Sequence, residues 1–209
     1  SIAAMERAGV RVDVVRADVS VPGDVERMVE VSERDGRALA GIVHCAGVLD
    51  PGVLERLDAG HMERVLAPKV LGTWLLHRRT LGTPLDFFVM FSSIGSVFGA
   101  PGQANHAAAN AFLDAFAFER RRRGLAAQSI AWGAWSEVGA AVRHAAGGRA
   151  AQQGMGVISP ASGLAVLQKL MAEGVPHVTV APQDWSEFAE RFGERGLPER
   201  FADVRAECA

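Results

Sequence analysis

The sequence predicts an α/β protein built on a parallel sheet, and three observations point to it. Short β-branched or apolar runs bounded by turn residues alternate with longer segments of helical period, which is the pattern of βαβ units. One run, "LDFFVMFSS", is apolar almost throughout, as a strand becomes when both faces of its sheet are covered. With 209 residues, 49% of them hydrophobic, the chain can bury one sizeable core, so a single domain over residues 1–209 is expected.

The elements follow in order. "VRVDVVRAD", Val10 to Asp18, reads as a strand, and "PGDVERMVEVSERDG" as the next helix, with Pro22 near its start and Gly36 past its end. "AGIVHCAG" is a second strand closing in a small-residue turn. A long helix is expected near residues 54–78, containing "VLAPKVLGTWLLH", with Pro68 kinking or loosening it. "LDFFVMFSS" ends at Ser92 and Ser93, and "PGQANHAAANAFLDA" opens a helix running to about Arg123, closed by Gly124. "AQSIAWGAW" makes the next strand. Residues 136–160 are Gly- and Ala-rich with weak periodicity, either a mobile segment over a cleft or a loose surface loop. A helix at "PASGLAVLQKLMAEG", a strand at "HVTVAP" and a helix after Asp184 complete the chain.

Composition excludes several classes of function. A formal net charge of -2 gives no global field toward nucleic acid or anionic lipid. The run Arg120 to Arg123 reads as a solvated helix end favoured by the helix dipole. Cys45 and Cys208 alone make no disulfide framework and fit a reducing, cytoplasmic setting. No signal peptide and no membrane-spanning apolar run appear, and the histidines lack a metal-ligand spacing, so no metal is expected.

Open parallel sheets bind ligands beyond the carboxyl ends of their strands, where Asp18, "HCAG", Ser92 with Ser93, and "WGAW" fall. Ser93 stands thirteen positions before His106, Asn110 four after it, and Lys69 lies on the preceding helix. Positions four apart share a helix face, so His106 and Asn110 point the same way, and the alanines at 107 to 109 keep that helix slim. By spacing alone this is either a catalytic set or a helix start with an incidental histidine. The first strand, Gly-rich turn and helix that would hold a dinucleotide pyrophosphate have no counterpart, since the chain opens at "SIAAMERAG", which reads as the tail of a helix. The parent protein is expected to supply them, because without them the central strands leave an edge unpaired.

At these residues the chain resembles the ketoreductase domains of modular polyketide synthases, a branch of the short-chain dehydrogenase/reductase family. "ADVS", "GIVHCAGVLD", "VLAPKVLGTWLLH", "FVMFSSIGSVFGAPGQAN", "AAANAFLDAFA" and "SIAWGAW" follow that family's order and spacing. The resemblance implies a Rossmann-type doubly wound parallel sheet, NADPH as cofactor, and a β-ketoacyl chain as substrate. That chain is carried as a phosphopantetheine thioester on an acyl carrier protein, with neighbouring synthase domains as further partners. It also implies roles residue by residue. Lys69 holds the nicotinamide ribose and helps position the proton donor, Ser93 hydrogen-bonds the substrate carbonyl, and Asn110 completes the tetrad. Asp18 and Val19 lie near the adenine, Ala46 and Gly47 form the turn against the cofactor ribose, and Trp132, Gly133 and Trp135 wall the nicotinamide and substrate. Residues 136–160 correspond to the substrate lid, with Met155 inside it. Leu49 and Asp50 open a Leu-Asp-Asp stretch seen in members giving one alcohol configuration, interrupted here by Pro51, and Phe98 stands where the opposite class often has tryptophan.

One position departs from the pattern. His106 occupies the place of the tyrosine that protonates the ketone oxygen, and the chain contains no tyrosine at all. The expectation is a ketoreductase fold with impaired reductase activity, or a reductase-inactive domain with an architectural or epimerase-like role.

Overall fold

The computed structural model describes residues 2–137, 155–190, 198, 199, 201 and 203. Four parallel strands form one sheet in the order β1 (Gly41–His44), β2 (Phe87–Ser93), β3 (Gln128–Trp132) and β4 (His177–Val180). Register runs Val43 beside Val89, Phe91 beside Ile130 and Ile130 beside Val178. Helices α1 (Ile2–Arg7) and α2 (Pro22–Ser32) precede the sheet; parallel neighbours need crossovers, which α3 (Ala59–Leu66) and α4 (Gly72–Arg79), α5 (Gly95–Phe98) and α6 (Ala104–Arg122), and α7 (Pro160–Glu173) supply in turn, and α8 (Trp185–Glu190) follows β4.

Alternation along β2 divides the core. Phe88 and Met90 face Val25 of α2, Leu76 of α4, and Leu113, Phe116 and Ala117 of α6. Val89 points to the other side, where Ile130, Trp132, Ile158 and Leu170 of α7 pack. Every residue of β3 is buried, as a central strand covered on both faces requires. The helices therefore lie on both faces of the sheet, as the doubly wound reading expects.

Three sequence expectations need correction. Residues 10–18 form no strand: β1 pairs only with β2, no described strand borders the segment, and Val14 is 76% exposed. The β-branched pattern sets a propensity, but only a neighbour's ladder makes a strand. The single helix near 54–78 is instead a 3-10 turn (Leu54–Arg56), then α3, a π-helical turn (Ala67–Leu71) and α4. Pro68 has no N–H to give to the preceding turn, and the backbone widens there, with Gly72 N–H bonding to the Ala67 carbonyl. The "RRRR" run is not uniformly solvated. Arg120 is 2% exposed, its guanidinium 4.0 Å over the Phe88 ring, with Nη1 2.6 Å from His77 Nδ1. Arg122 and Arg123 do face solvent and pair with Glu119.

Candidate active site

The strands end on one side of the sheet, and the site residues gather there. α2 is started by a closed turn: the Asp18 carboxylate accepts from Ser20 N–H and Oγ at 2.9 and 2.6 Å, while Asp24 accepts from Asp18 N–H at 2.7 Å. The two Ser20 bonds hold the Asp18 carboxyl below its usual value. Val19 packs on the start of α4, where a Cβ at Gly72 would sit 2.7 Å from Val19 Cγ1.

Lys69 projects from the π-helical turn and is 6% exposed, with Nζ donating to the Phe91 carbonyl at 2.9 Å. Its stem passes Gly47, where any Cβ would lie 3.1 Å from Lys69 Cε, so the small-residue turn after β1 and the lysine fit each other. Burial lowers Lys69 to about 8. At the end of β1, His44 is 4% exposed, and its Nε2 lies 3.1 Å from the Pro68 carbonyl oxygen, tying the strand to the turn that bears Lys69. Burial, then the Lys69 charge, depress His44 to about 4.

At the end of β2, Ser93 Oγ accepts from Gly95 N–H at 3.2 Å, which leaves its own proton free to be given outward. A Cβ built on Gly95 would lie 3.5 Å from Ser93 Oγ and 4.0 Å from His106 Cδ2, so both side chains flank that glycine. His106 and Asn110 lie one turn apart on α6, and Asn110 Nδ2 donates to the His106 carbonyl at 2.7 Å. Asn105 secures the helix start, accepting from His106 N–H at 2.8 Å while donating to the Asp50 carbonyl at 2.8 Å. Burial first, then the Lys69 charge, depress His106 to about 4, leaving a neutral imidazole at pH 7. Its Nδ1, the Asn110 Oδ1 and the Trp132 Nε1 are buried without a hydrogen-bond partner among the described residues.

The remaining candidates divide. Trp132 ends β3, Gly133 follows with its N–H on the Val180 carbonyl, and Trp135 lies beyond the strand, bridged to Ile158 and within 5.1 Å of the Trp132 ring centroid. Met155 is buried and bridges to Gln183. The proposed lid lies mostly outside the described residues, which omit 138–154. Asp50 is held by Arg64 at 2.7 Å, beside Leu49. Phe98 joins an aromatic cluster with Trp185, Phe188 and Phe201. Among the described residues no group of His, Cys, Asp and Glu could hold a metal ion.

The residues missed in the sequence are His44, Asn105 and Asp114. Asp114 had a readable signal, since residues 106, 110 and 114 repeat every four positions along one helix face. His44 and Asn105 had none, because the Pro68 carbonyl at His44 and the Asp50 carbonyl at Asn105 are distant in sequence.

A parallel sheet with helices on both faces and polar groups at the strand ends is the Rossmann-type architecture of the short-chain dehydrogenases/reductases. The KR domain family model matches residues 1–137, and the chain belongs to that family. Polyketide synthase GfsE of Streptomyces halstedii is 43% identical over 183 residues, covering 86% of this chain and 5% of that synthase. Among solved structures, an A-type ketoreductase from a modular polyketide synthase superposes with a TM-score of 0.89 at 33% identity, covering 95% of this chain and 42% of the other. A C2-type ketoreductase from a modular polyketide synthase gives 0.81 at 30% identity, covering 94% and 42%. The chain thus spans less than half of the ketoreductases it resembles. No described helix is long and apolar enough to cross a membrane.

Proposed function

We propose that this chain is the site-bearing part of a polyketide synthase ketoreductase domain, acting on a β-ketoacyl thioester delivered by an acyl carrier protein, and that His106 leaves its reductase activity strongly impaired. The carrying observation is the half-buried His106 imidazole at the start of α6, set beside Ser93 across Gly95 and held neutral at pH 7 by desolvation and the Lys69 charge.

The residues at the strand ends fit the nicotinamide end of NADPH. Gly47 leaves no side chain in the way of Lys69, and the orphaned Asn110 Oδ1 can take a hydrogen bond from a bound group. Lys69, Ala46, Gly47, Trp132 and Gly133 would hold it there, with Asp18 and Val19 toward the adenine. When bound, the cofactor supplies hydride to the ketone carbon. Ser93 gives its free proton as a hydrogen bond to the ketone oxygen, and Lys69 places a cation nearby as negative charge grows on that oxygen.

The missing step is proton delivery. Counting bonds of about 1.4 to 1.5 Å, the far nitrogen of histidine reaches roughly 2 Å less than a tyrosine hydroxyl, a large deficit when donor and acceptor must approach within about 3 Å. A histidine at about 4 is protonated in only about one molecule in a thousand at pH 7. Loss of a general acid typically costs about 10²- to 10⁴-fold in rate.

The test follows NADPH oxidation with a small β-keto thioester in the longer parent domain carrying the upstream Gly-rich segment. His106→Tyr is expected to raise turnover by about 10²-fold or more. Equal turnover by both versions refutes the impairment, and no turnover by either moves the defect to cofactor binding.

A second reading is favoured by the orphaned His106 Nδ1. A neutral imidazole can present a lone pair and take the acidic proton between the two substrate carbonyls, exchanging it without hydride transfer. Loss of deuterium from that carbon without NADPH oxidation supports this reading; retained label rejects it.

A further inference from the structure

Asn105 is fully buried, 0% exposed, one residue before His106, and its amide joins the loop after β1, α3 and the start of α6. Nδ2 donates to the Asp50 carbonyl in that loop at 2.8 Å and to the His61 carbonyl of α3 at 3.3 Å. Oδ1 accepts the His106 N–H at 2.8 Å. Carbonyls on one side and an N–H on the other fix the amide in a single orientation, with both of its protons in use. A backbone tie runs beside it: Gly52 N–H donates to the Gly102 carbonyl at 2.8 Å, and Gly52 and Gln103 form a parallel bridge.

We propose that Asn105 is a positioning residue that couples the loop at 49–52 to the side chain at position 106, so that the loop and the proton-donor position move as one body. The proposal rests on the assignment of residue 106 to the site.

The body of α6 has holds of its own: Ser92 Oγ donates to the Asn110 carbonyl at 3.3 Å, and Ser129 Oγ donates to the Asp114 carboxylate at 2.7 Å. The first turn is different. A helix start leaves its leading N–H groups without partners inside the helix, and the N-cap residue, Gln103, makes no side-chain cap bond among the described residues. Asn105 takes that part from inside the helix by accepting the His106 N–H. On the far side of the amide, Asp50 is fixed by Arg64 Nε at 2.7 Å, and the His61 N–H is held by the Asp58 carboxylate at 2.9 Å. The loop is thus anchored at its own end, and Asn105 carries that anchorage to the turn bearing residue 106.

The test titrates His106 by NMR, with His44 as the internal control, since His44 is equally desolvated but is bonded to Pro68. Asn105→Ala removes all three amide bonds, and Asn105→Ser is a second, small polar variant should Ala not fold. Lys69, the charge that acts on His106, is untouched by either. With its turn unfastened, the half-buried imidazole gains water and should bind protons at least about tenfold more tightly, moving from about 4 toward ~6.5, while His44 stays within about twofold. An unmoved His106 overturns the proposal, as does an equal shift of His44, which would mean general loosening. Backbone amide exchange tests the coupling without any substitution: in the unaltered chain the His106 and Gly52 amides should open together, with protection equal within about threefold. Unequal protection overturns the coupling. No turnover is needed, so failure of His106→Tyr to reduce leaves these readouts standing, and an unmoved His106 leaves the reductase reading intact.

Discussion

Replacing His44 with glutamine should flatten part of the acid destabilisation of this domain. His44 is 4% exposed, and its Nε2 sits 3.1 Å from the Pro68 carbonyl oxygen, so in the folded chain its neutral form is favoured, at about 4. In the unfolded chain it titrates near ~6.5, so unfolding takes up a proton wherever the pH lies below that value. The stability carried by the neutral imidazole is complete above about pH 6.5 and is lost as the pH falls toward the folded value. Taking about 6.5 and about 4 as the two ends, the loss between pH 7 and pH 5 is about 2 kcal/mol, rising to about 3 kcal/mol at pH 4. Glutamine places a non-titrating amide N–H where Nε2 stands, so it keeps the bond to Pro68 and removes the proton uptake. Urea unfolding from pH 4 to pH 8, His44 against His44→Gln, should give curves that run parallel above pH 7. They should diverge by about 2 kcal/mol at pH 5, glutamine being relatively more stable. Parallel curves through pH 5 refute the claim that His44 is held neutral by burial and the nearby Lys69 charge.

Two further substitutions test the core around the site. Arg120→Met should cost about 1–3 kcal/mol by denaturant unfolding, because it strips His77 Nδ1 and the Ala126 carbonyl of their buried donor and removes the cation over Phe88; no loss would mean the arginine is dispensable there. Gly163→Ala places a methyl group into the Trp135 ring, so it should cost about 1–3 kcal/mol and shift the Trp135 fluorescence. A neutral result in both would show that α7 does not press on that indole.

The sequence made the sheet legible where periodicity and burial agree. "LDFFVMFSS" is apolar because β2 is covered on both faces, and its Phe88 and Val89 do enter opposite cores. It failed where the outcome depends on a partner rather than a pattern. Val10 to Asp18 carries the right residues for a strand, but β1 offers it no pairing and no described strand lies next to it. Arg120 fails for the same reason in reverse. Its neighbours Arg122 and Arg123 are solvated as a charged run predicts, yet a one-residue step around α6 turns Arg120 onto Phe88 and His77, and no count of charges encodes that rotation. Helical phase was nonetheless present in the sequence, and it bears on the site. Residues 106, 110 and 114 repeat every fourth position, and the same spacing that marks His106 and Asn110 as neighbours marks Asp114 as the next along that face. Around His106 the local bonds are complete: Ser93 receives the Gly95 N–H, Lys69 reaches the Phe91 carbonyl, and Asn110 bonds back to residue 106. With those bonds in place, the substitution at His106 tests proton delivery alone, and cofactor binding needs a readout of its own.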